Sequence, residues 1–330
     1  MNENFGPDPK KMTLPAPTPG DLFLLFHHLP FDFSENLPLQ LGPSVCLDET
    51  PQTILDSADK GLADYLLPGY SLPGEGLNNC CLRCFSRSTN LEQLHPKDLL
   101  FLSVLALRLH APINMRIGGM FRLGENGDCI LDPTPLELSS PWSRQGLESY
   151  LPLDINKSCE IAKRLVGLEQ GDYIKLKTAL IFFGQVTLGI SNSFQLSYLG
   201  LFAALEALFV PGNKKSATLS RRISNFLSNF PFPEPIEPWI KNEYIKGRDK
   251  IAHGGLRNAT FGARLNPESY KSFGRLHEIT RISLLGFLSL EDELLRQLSQ
   301  SSGPSLQRTL DQIKSLSQKH LGENQKMWID

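Results

Sequence analysis

The chain lacks the signatures of several common enzyme classes. It contains no Gly-x4-Gly-Lys-Ser/Thr loop, no Gly-x-Ser-x-Gly elbow and no His-Glu-x2-His pair. These motifs supply the phosphate cradle of P-loop NTPases, the nucleophile of α/β-hydrolases and the metal ligands of zincins. Nothing in the sequence therefore favours NTP hydrolysis, serine-hydrolase chemistry or zinc-protease chemistry.

Cysteine is scarce, with six in 330 residues, which does not suggest a disulfide scaffold. One Cys-x2-Cys spacing lies within residues 80–84, but no second Cys or His pair follows at zinc-finger spacing. Cys46, His95 and His110 would complete a zinc site only if the fold brought them there. His27-His28 is predicted as the end of a strand or helix. We therefore predict neither a metal nor a cofactor.

Long apolar segments are also missing. The run around residues 179–190 is too short to span a bilayer. The first residues lack the basic-then-apolar order of a signal peptide. The sequence predicts a reduced, cytoplasmic protein without a membrane span.

The chain has almost no net charge, −2 at pH 7, but its charge is unevenly distributed. Residues 1–149 carry 10 Lys and Arg against 18 Asp and Glu, whereas the remainder carries 23 against 17. The positive half has the sign needed to bind a polyanion, although a solvated helix face would look similar.

Proline divides the chain, because 16 of the 24 prolines precede residue 150. We predict an α+β fold with a Pro-rich lead-in at 1–20 and a mixed domain at 21–149. In that domain, strands are predicted at 37–42 and 45–47, helices at 53–67 and 96–110, and a hairpin across 113–131. A helical domain at 150–300 and a C-terminal helix within 301–330 complete the chain. Their helices are predicted at 153–168, 172–190, 193–210, 217–230, 238–253, 267–300 and 307–320.

The segment that carries chemistry is Tyr-Ile-Lys-Gly-Arg-Asp-Lys-Ile-Ala-His-Gly-Gly, residues 244–255. Arg248 would hold a phosphate and stabilise its growing negative charge. His253 titrates near neutral pH and would act as the general base on a ribose 2′-hydroxyl or as the acid on the leaving 5′-oxygen. On an ideal α-helix the two side chains lie about 140° apart, so the last turn must unwind before they act together.

Upstream of this segment lie an apolar helix carrying a single Glu, residues 193–210, and a polar, basic helix that begins near Thr218. This order, followed by the Arg-polar-x3-His-Gly ending, resembles the HEPN superfamily and within it the ApeA-like branch. The resemblance covers about the second half of the chain. It implies a helical bundle and a metal-independent endoribonuclease that leaves 2′,3′-cyclic phosphate ends. It also implies two protomers whose motifs line one cleft.

Three further residues are candidates for supporting roles, two of them through the resemblance. Asp249 matches the family's polar position after the Arg and would orient Arg248 or His253. Glu206 matches the acidic residue of the upstream helix, either as a contact of the Arg and His or as part of an ordinary salt bridge. Tyr244 would pack in the core or stack on a base, and packing is favoured. Candidate phosphate contacts, each of which also fits a solvated face, are Lys214, Lys215, Arg221, Arg222, Lys246 and Lys250.

The implied partners are an RNA substrate (tRNA or mRNA), a second copy of the chain and an antitoxin or activator protein. The implied biology is antiviral defence, abortive infection or toxin-type growth arrest, with residues 21–149 as a sensor or regulator. Three alternatives remain open at this point. The first is a catalytically silent HEPN module that binds RNA or protein. The second is a toxin controlled by a nucleotidyltransferase-type antitoxin that modifies the tyrosine or neighbouring residues near Arg248. The third is a plain helical adaptor.

Overall fold

A computed structural model provides the fold. It describes residues 14–28, 37–42, 44–65, 80–86, 94–110, 116–132, 155–169, 171–187, 194–209, 215–228, 230, 232, 234–253 and 267–312. The chain divides into two compact units, one of residues 1–103 with 115–138 and the other of 104–114 with 139–330. The first is built on a sheet and the second on helices, so the predicted α+β class is confirmed.

The first unit contains a six-stranded antiparallel sheet in the order β2-β3-β4-β1-β5-β6. The strands are β1 (Leu22–His28), β2 (Leu39–Gln40), β3 (Val45–Glu49), β4 (Cys80–Cys84), β5 (Arg116–Leu123) and β6 (Cys129–Asp132). Helix α1 (Gln52–Tyr65) accompanies them, and α2 (Pro96–His110) is divided, with residues 96–103 in this unit and residues 104–110 in the second. The predicted hairpin is the β5–β6 pair, and the predicted helices at 53–67 and 96–110 are α1 and α2.

The core of this sheet lies on its central strands. Phe23 and Leu25 of β1 pack with Phe121 of β5 and with Ile54 and Ala58 of α1. Successive side chains of a strand point to opposite faces, so one face of β1 meets α1 while Leu22 and Leu24 are buried on the other. Burial on both faces explains why residues 22–26 of β1 are continuously apolar rather than alternating.

Strand β4 was not predicted from the sequence, where its cysteines were considered only as metal ligands. All five residues of Cys80–Cys84 are buried, and β4 pairs with both β1 and β3. Burial raises the pKa of the Cys81 and Cys84 thiols to about 12. A protonated thiol is a poor metal ligand, so these cysteines act as small core residues.

The second unit is helical. Its helices are α3 (Ile155–Glu169), α4 (Ile174–Thr187), α5 (Phe194–Phe209), α6 (Lys215–Phe226), α7 (Ile236–Glu243), a π-helix (Tyr244–Asp249), α8 (Lys250–Ala252), α9 (Pro267–Leu288), α10 (Asp292–Gln300) and α11 (Gly303–Gln312). Helix α5 is apolar almost all round, and it packs against α4, α6, α9 and the π-helix. It is therefore the central helix of this unit.

One helix prediction was wrong in its continuity, and a second missed a change of helix type. The segment predicted as one helix at 267–300 is two, α9 and α10, separated at residues 289–291. Arg164 of α3 donates to the carbonyls of Leu288 (3.2 Å) and Leu290 (2.8 Å), which satisfies acceptors at the end of α9. The segment predicted as one helix at 238–253 begins at Ile236 and contains the π-helix. Residues 313–320 of the last predicted helix lie outside the described residues.

None of the described helices is both long enough and apolar enough to cross a bilayer.

Candidate active site

The candidate motif lies on a π-helix. Residues 244–249 form this wider turn between α7 and α8, and Gly247 lies within it. The i→i+5 hydrogen bonds of a π-helix place one more residue in a turn than an α-helix has. The ideal-helix angle between Arg248 and His253 therefore does not apply, because the widened turn sets the direction in which Arg248 leaves the backbone.

Tyr198 of α5 holds this turn in place. Its side chain is fully buried, and its hydroxyl donates a hydrogen bond to the Glu243 carboxylate, which is 3% exposed. A Cβ added at Gly247 would lie 2.6 Å from the Tyr198 hydroxyl oxygen and 3.0 Å from two ring carbons. Glycine is required here because the tyrosine approaches the backbone too closely for any side chain.

We expect Gly247→Ala to lower the free energy of unfolding by about 1–3 kcal/mol, because the added methyl group overpacks the Tyr198 contact. Gly274→Ala in α9 is the matched control, since an added Cβ there meets no described atom within 4 Å. That control should raise stability by about 0.5–1 kcal/mol through helix propensity. Urea unfolding followed by circular dichroism measures both. Equal effects of the two variants would contradict the tight packing at Gly247.

Arg248 is held by two carboxylates. Its Nε lies 3.1 Å from Glu206 Oε1, and its Nη2 donates to Glu206 Oε2 at 3.5 Å. Its Nη1 donates to Asp249 Oδ1 at 3.2 Å. The guanidinium also lies over the ring of Tyr244, 5.1 Å from its centroid. The fold thus brings together four of the five main candidates: Arg248, Asp249, Glu206 and Tyr244.

Glu206 lies in this cluster because α5 presents Tyr198, Phe202 and Glu206 on successive turns. Phe202 meets the Tyr244 ring edge-on at 5.4 Å, and Tyr244 donates its hydroxyl to Glu206 Oε1 at 2.8 Å. The apolar part of the row is buried, whereas the Glu206 side chain is 21% exposed. The carboxylate therefore lies where the packed interface between α5 and the π-helix reaches the surface.

Tyr244 is packed and hydrogen-bonded rather than available for base stacking. Its side chain is 2% exposed. Burial, followed by the hydrogen bond to Glu206 and its charge, raises the pKa of the Tyr244 hydroxyl well above its usual value. The hydroxyl therefore stays protonated and donates to Glu206. Modification of this tyrosine would require the segment to open.

Arg248 stays positively charged in this setting. Burial by itself lowers the pKa of the guanidinium, and the charges of Glu206 and Asp249, with the hydrogen bond to Asp249, raise it above its usual value. Its side chain is 25% exposed. The Arg248 guanidinium is therefore both positively charged and partly accessible to solvent.

His253 is placed differently. It is exposed and follows α8, and its backbone N–H donates to the Asp249 carbonyl at 3.0 Å. Within the described residues, no hydrogen bond or ion pair joins its imidazole to Arg248, Glu206 or Asp249. The hydrogen bonds and ion pairs that hold Arg248 therefore do not include the imidazole. Gly254 and Gly255 lie outside the described residues.

The candidate phosphate contacts separate into two groups. Lys215, Arg221, Lys246 and Lys250 are exposed. Arg222 is 4% exposed, and it donates to the Phe209 carbonyl (2.5 Å) and to Gln307 (3.0 Å). Its interpretation as a phosphate contact or a solvated residue is therefore corrected, because the guanidinium joins α6 to the end of α5 and to α11. Lys214 lies outside the described residues.

Sequence reasoning missed Tyr198, Glu243 and Gly247, which position the turn. The usable signal was the glycine, since a Gly inside a predicted helix indicates close packing or a change of backbone geometry. No group of three or more His, Cys, Asp or Glu side chains in the described part of the chain is arranged to hold a metal ion.

Comparison of the chain with protein-family models, with curated proteins and with solved structures finds no match.

Proposed function

We propose that the helical unit is a metal-independent endoribonuclease of the HEPN type. The observation that carries this proposal is the placement of Arg248. Its guanidinium pairs with Glu206 and Asp249 and lies over the Tyr244 ring, at the end of a π-helix and five residues before the exposed His253. π-Helices occur frequently at functional sites. A planar, permanently charged donor is suited to a phosphodiester.

In the proposed reaction, the ribose 2′-oxygen attacks the adjacent phosphorus and the bond to the 5′-oxygen breaks. His253 accepts the 2′-hydroxyl proton or protonates the leaving 5′-oxygen. Arg248 binds the non-bridging oxygens, whose negative charge grows in the transition state. The products are a 2′,3′-cyclic phosphate end and a 5′-hydroxyl end.

A second copy of the chain would complete the site, as the resemblance to HEPN proteins implies. What supports this part of the proposal is that, within the described residues, no hydrogen bond or ion pair joins the His253 imidazole to Arg248. The exposed Lys246 and Lys250 lie beside Arg248 in sequence and would attract the RNA backbone. We extend the proposal to tRNA or mRNA as substrate, to defence or growth arrest as biology, and to the sheet unit as a regulator.

The second candidate is a catalytically silent module that binds RNA or protein. It is favoured by the pairing of Arg248 with two carboxylates, which leaves its charge already matched. The two candidates differ in one observable property, which is cleavage that depends on His253.

The test is cleavage of purified tRNA and mRNA in EDTA, with the chemistry of the new 3′ ends determined. We expect His253→Ala to lower the cleavage rate about 10²- to 10⁴-fold, because general acid–base catalysis is lost. Arg248→Ala should lower it about 10²- to 10³-fold, because stabilisation of the developing charge is lost.

Arg296→Ala is the matched control, since Arg296 also pairs with a Glu but is 56% exposed in α10. It should cleave like the wild type. Equal cutting by wild type and His253→Ala would assign the activity to another site or to a contaminant. RNA binding that depends on Arg248, without any cleavage, would establish the silent module.

A further inference from the structure

Most of the hydrogen-bonding capacity of Arg248 is already in use. A guanidinium has five N–H donors. Nε and Nη2 are directed to Glu206, and Nη1 donates to Asp249. One positive charge therefore faces two carboxylates. A phosphodiester, which carries one negative charge, would enter a cluster in which negative charge is already in excess.

We propose that Glu206 restrains this site by occupying Arg248 in the place of phosphate. RNA then binds by exchange, in which Arg248 leaves the Glu206 carboxylate and pairs with a backbone phosphate. This inference rests on the proposed function, because it names how access to the same arginine is controlled.

The surroundings of Glu206 make the exchange feasible. Its Oε1 already accepts a hydrogen bond from the Tyr244 hydroxyl at 2.8 Å, so the carboxylate keeps a donor after Arg248 has left. The Glu206 side chain is 21% exposed, so water can replace the lost contacts. Arg248 is 25% exposed and sits on a long, flexible stem, and partly exposed ion pairs are weak.

A positioning role for Glu206 predicts the opposite outcome. If the carboxylate only oriented Arg248 for phosphate, removal of its charge would weaken RNA binding. If the carboxylate competes with phosphate, removal of its charge strengthens binding. Tyr244→Phe should change RNA affinity in the opposite direction. Without the tyrosine hydroxyl, Glu206 has no remaining donor once Arg248 leaves, so the state in which Glu206 pairs with Arg248 is favoured and RNA binding weakens.

The test is the affinity of the full chain for a fluorescently labelled, single-stranded RNA whose riboses are 2′-O-methylated. The blocked 2′-oxygen cannot attack, so binding is measured without cleavage. We expect Glu206→Gln to bind about three- to tenfold more tightly than the wild type. Tyr244→Phe should bind about twofold more weakly or worse. Glu293→Gln is the matched control, since Glu293 also pairs with an arginine but is 69% exposed. It should change the affinity less than about twofold.

Equal or weaker binding by Glu206→Gln would overturn the restraint. Cleavage of unmodified RNA by the wild type, measured in parallel, separates this failure from failure of the proposed function. If the wild type cleaves and Glu206→Gln binds no more tightly, the restraint alone is wrong. If the wild type does not cleave but Glu206→Gln binds more tightly, the nuclease proposal is wrong and the restraint holds for an RNA-binding site. If no variant binds the RNA, both are wrong.

Discussion

Arg281→Met is expected to destabilise the helical unit by about 3–5 kcal/mol, because it removes the cation from a buried ion pair. Arg281 is 1% exposed and Glu278 is 6% exposed. The guanidinium donates through Nε and Nη2 to the two Glu278 oxygens, at 2.8 and 2.5 Å. Its Nη1 also donates to the carbonyls of Leu109 and His110, at 2.7 and 2.9 Å. The substitution therefore leaves a buried carboxylate and the end of α2 without their donor.

The chain supplies a matched control with the same residue types and spacing. Glu293 and Arg296 are also three residues apart on a helix, but their side chains are 69% and 56% exposed. Arg296→Met should therefore change stability by less than about 1 kcal/mol. Chemical unfolding followed by the helical circular dichroism signal measures both variants.

A double variant identifies why Arg281→Met loses stability. If the uncompensated carboxylate causes it, adding Glu278→Gln to Arg281→Met should recover part of the stability. Equal losses in Arg281→Met and Arg296→Met would show that burial of the pair has no energetic consequence.

Acidification is expected to destabilise the same unit through His277. Its side chain is 6% exposed and lies against the rings of Phe183 and Phe273, with centroids 5.0 and 6.4 Å away. Burial lowers the pKa of His277 to about 4, and the charges of Arg281 and Arg108 act in the same direction against the opposing charge of Glu278. No described group accepts from or donates to its buried Nδ1.

The direction in which stability changes with pH follows from the lowered pKa of His277. The folded chain binds a proton at His277 only near pH 4, whereas the unfolded chain binds it near pH 6.5. The stability due to the neutral imidazole is therefore complete above pH 6.5 and is lost as the pH falls towards 4. The loss is about 3 kcal/mol, from the size of the pKa difference.

The measurement is the free energy of unfolding at pH 7.5 and pH 4.0 for the wild type and for His277→Leu. Other groups titrate in this range in both proteins, so the prediction concerns the difference between them. The wild type should lose about 3 kcal/mol more than the variant. Identical losses would show that His277 is not buried as a neutral imidazole.

Several elements were predictable because their sequence signals are local. Residues 96–110 are apolar over the length of a buried helix, and α2 has those bounds. The turn-forming residues 124–127 separate two strand-like runs, which pair as β5 and β6. Both signals need only the neighbouring residues, so no information from the fold was required.

Strand β4 and the π-helix were not predictable in this way. In β4, the cysteines and Arg83 do not form an alternating pattern, and the buried Arg83 pairs with Asp21, which lies 2.8 Å away and 62 residues earlier in the chain. In the π-helix, the widened turn depends on contact between Gly247 and Tyr198, which are 49 residues apart in sequence. A local sequence pattern carries no information about contacts between residues that are distant along the chain.

The candidate site combines both kinds of information. The sequence alone determined which groups are available, since Arg248, Asp249 and His253 are close along the chain and Glu206 stands out on an apolar helix. Only the tertiary structure decided that Glu206 pairs with Arg248, that Tyr244 is buried and that Arg222 is a core residue. The physical reason is that residue types set charge and hydrogen-bonding capacity, whereas pairing and burial depend on which helices pack together.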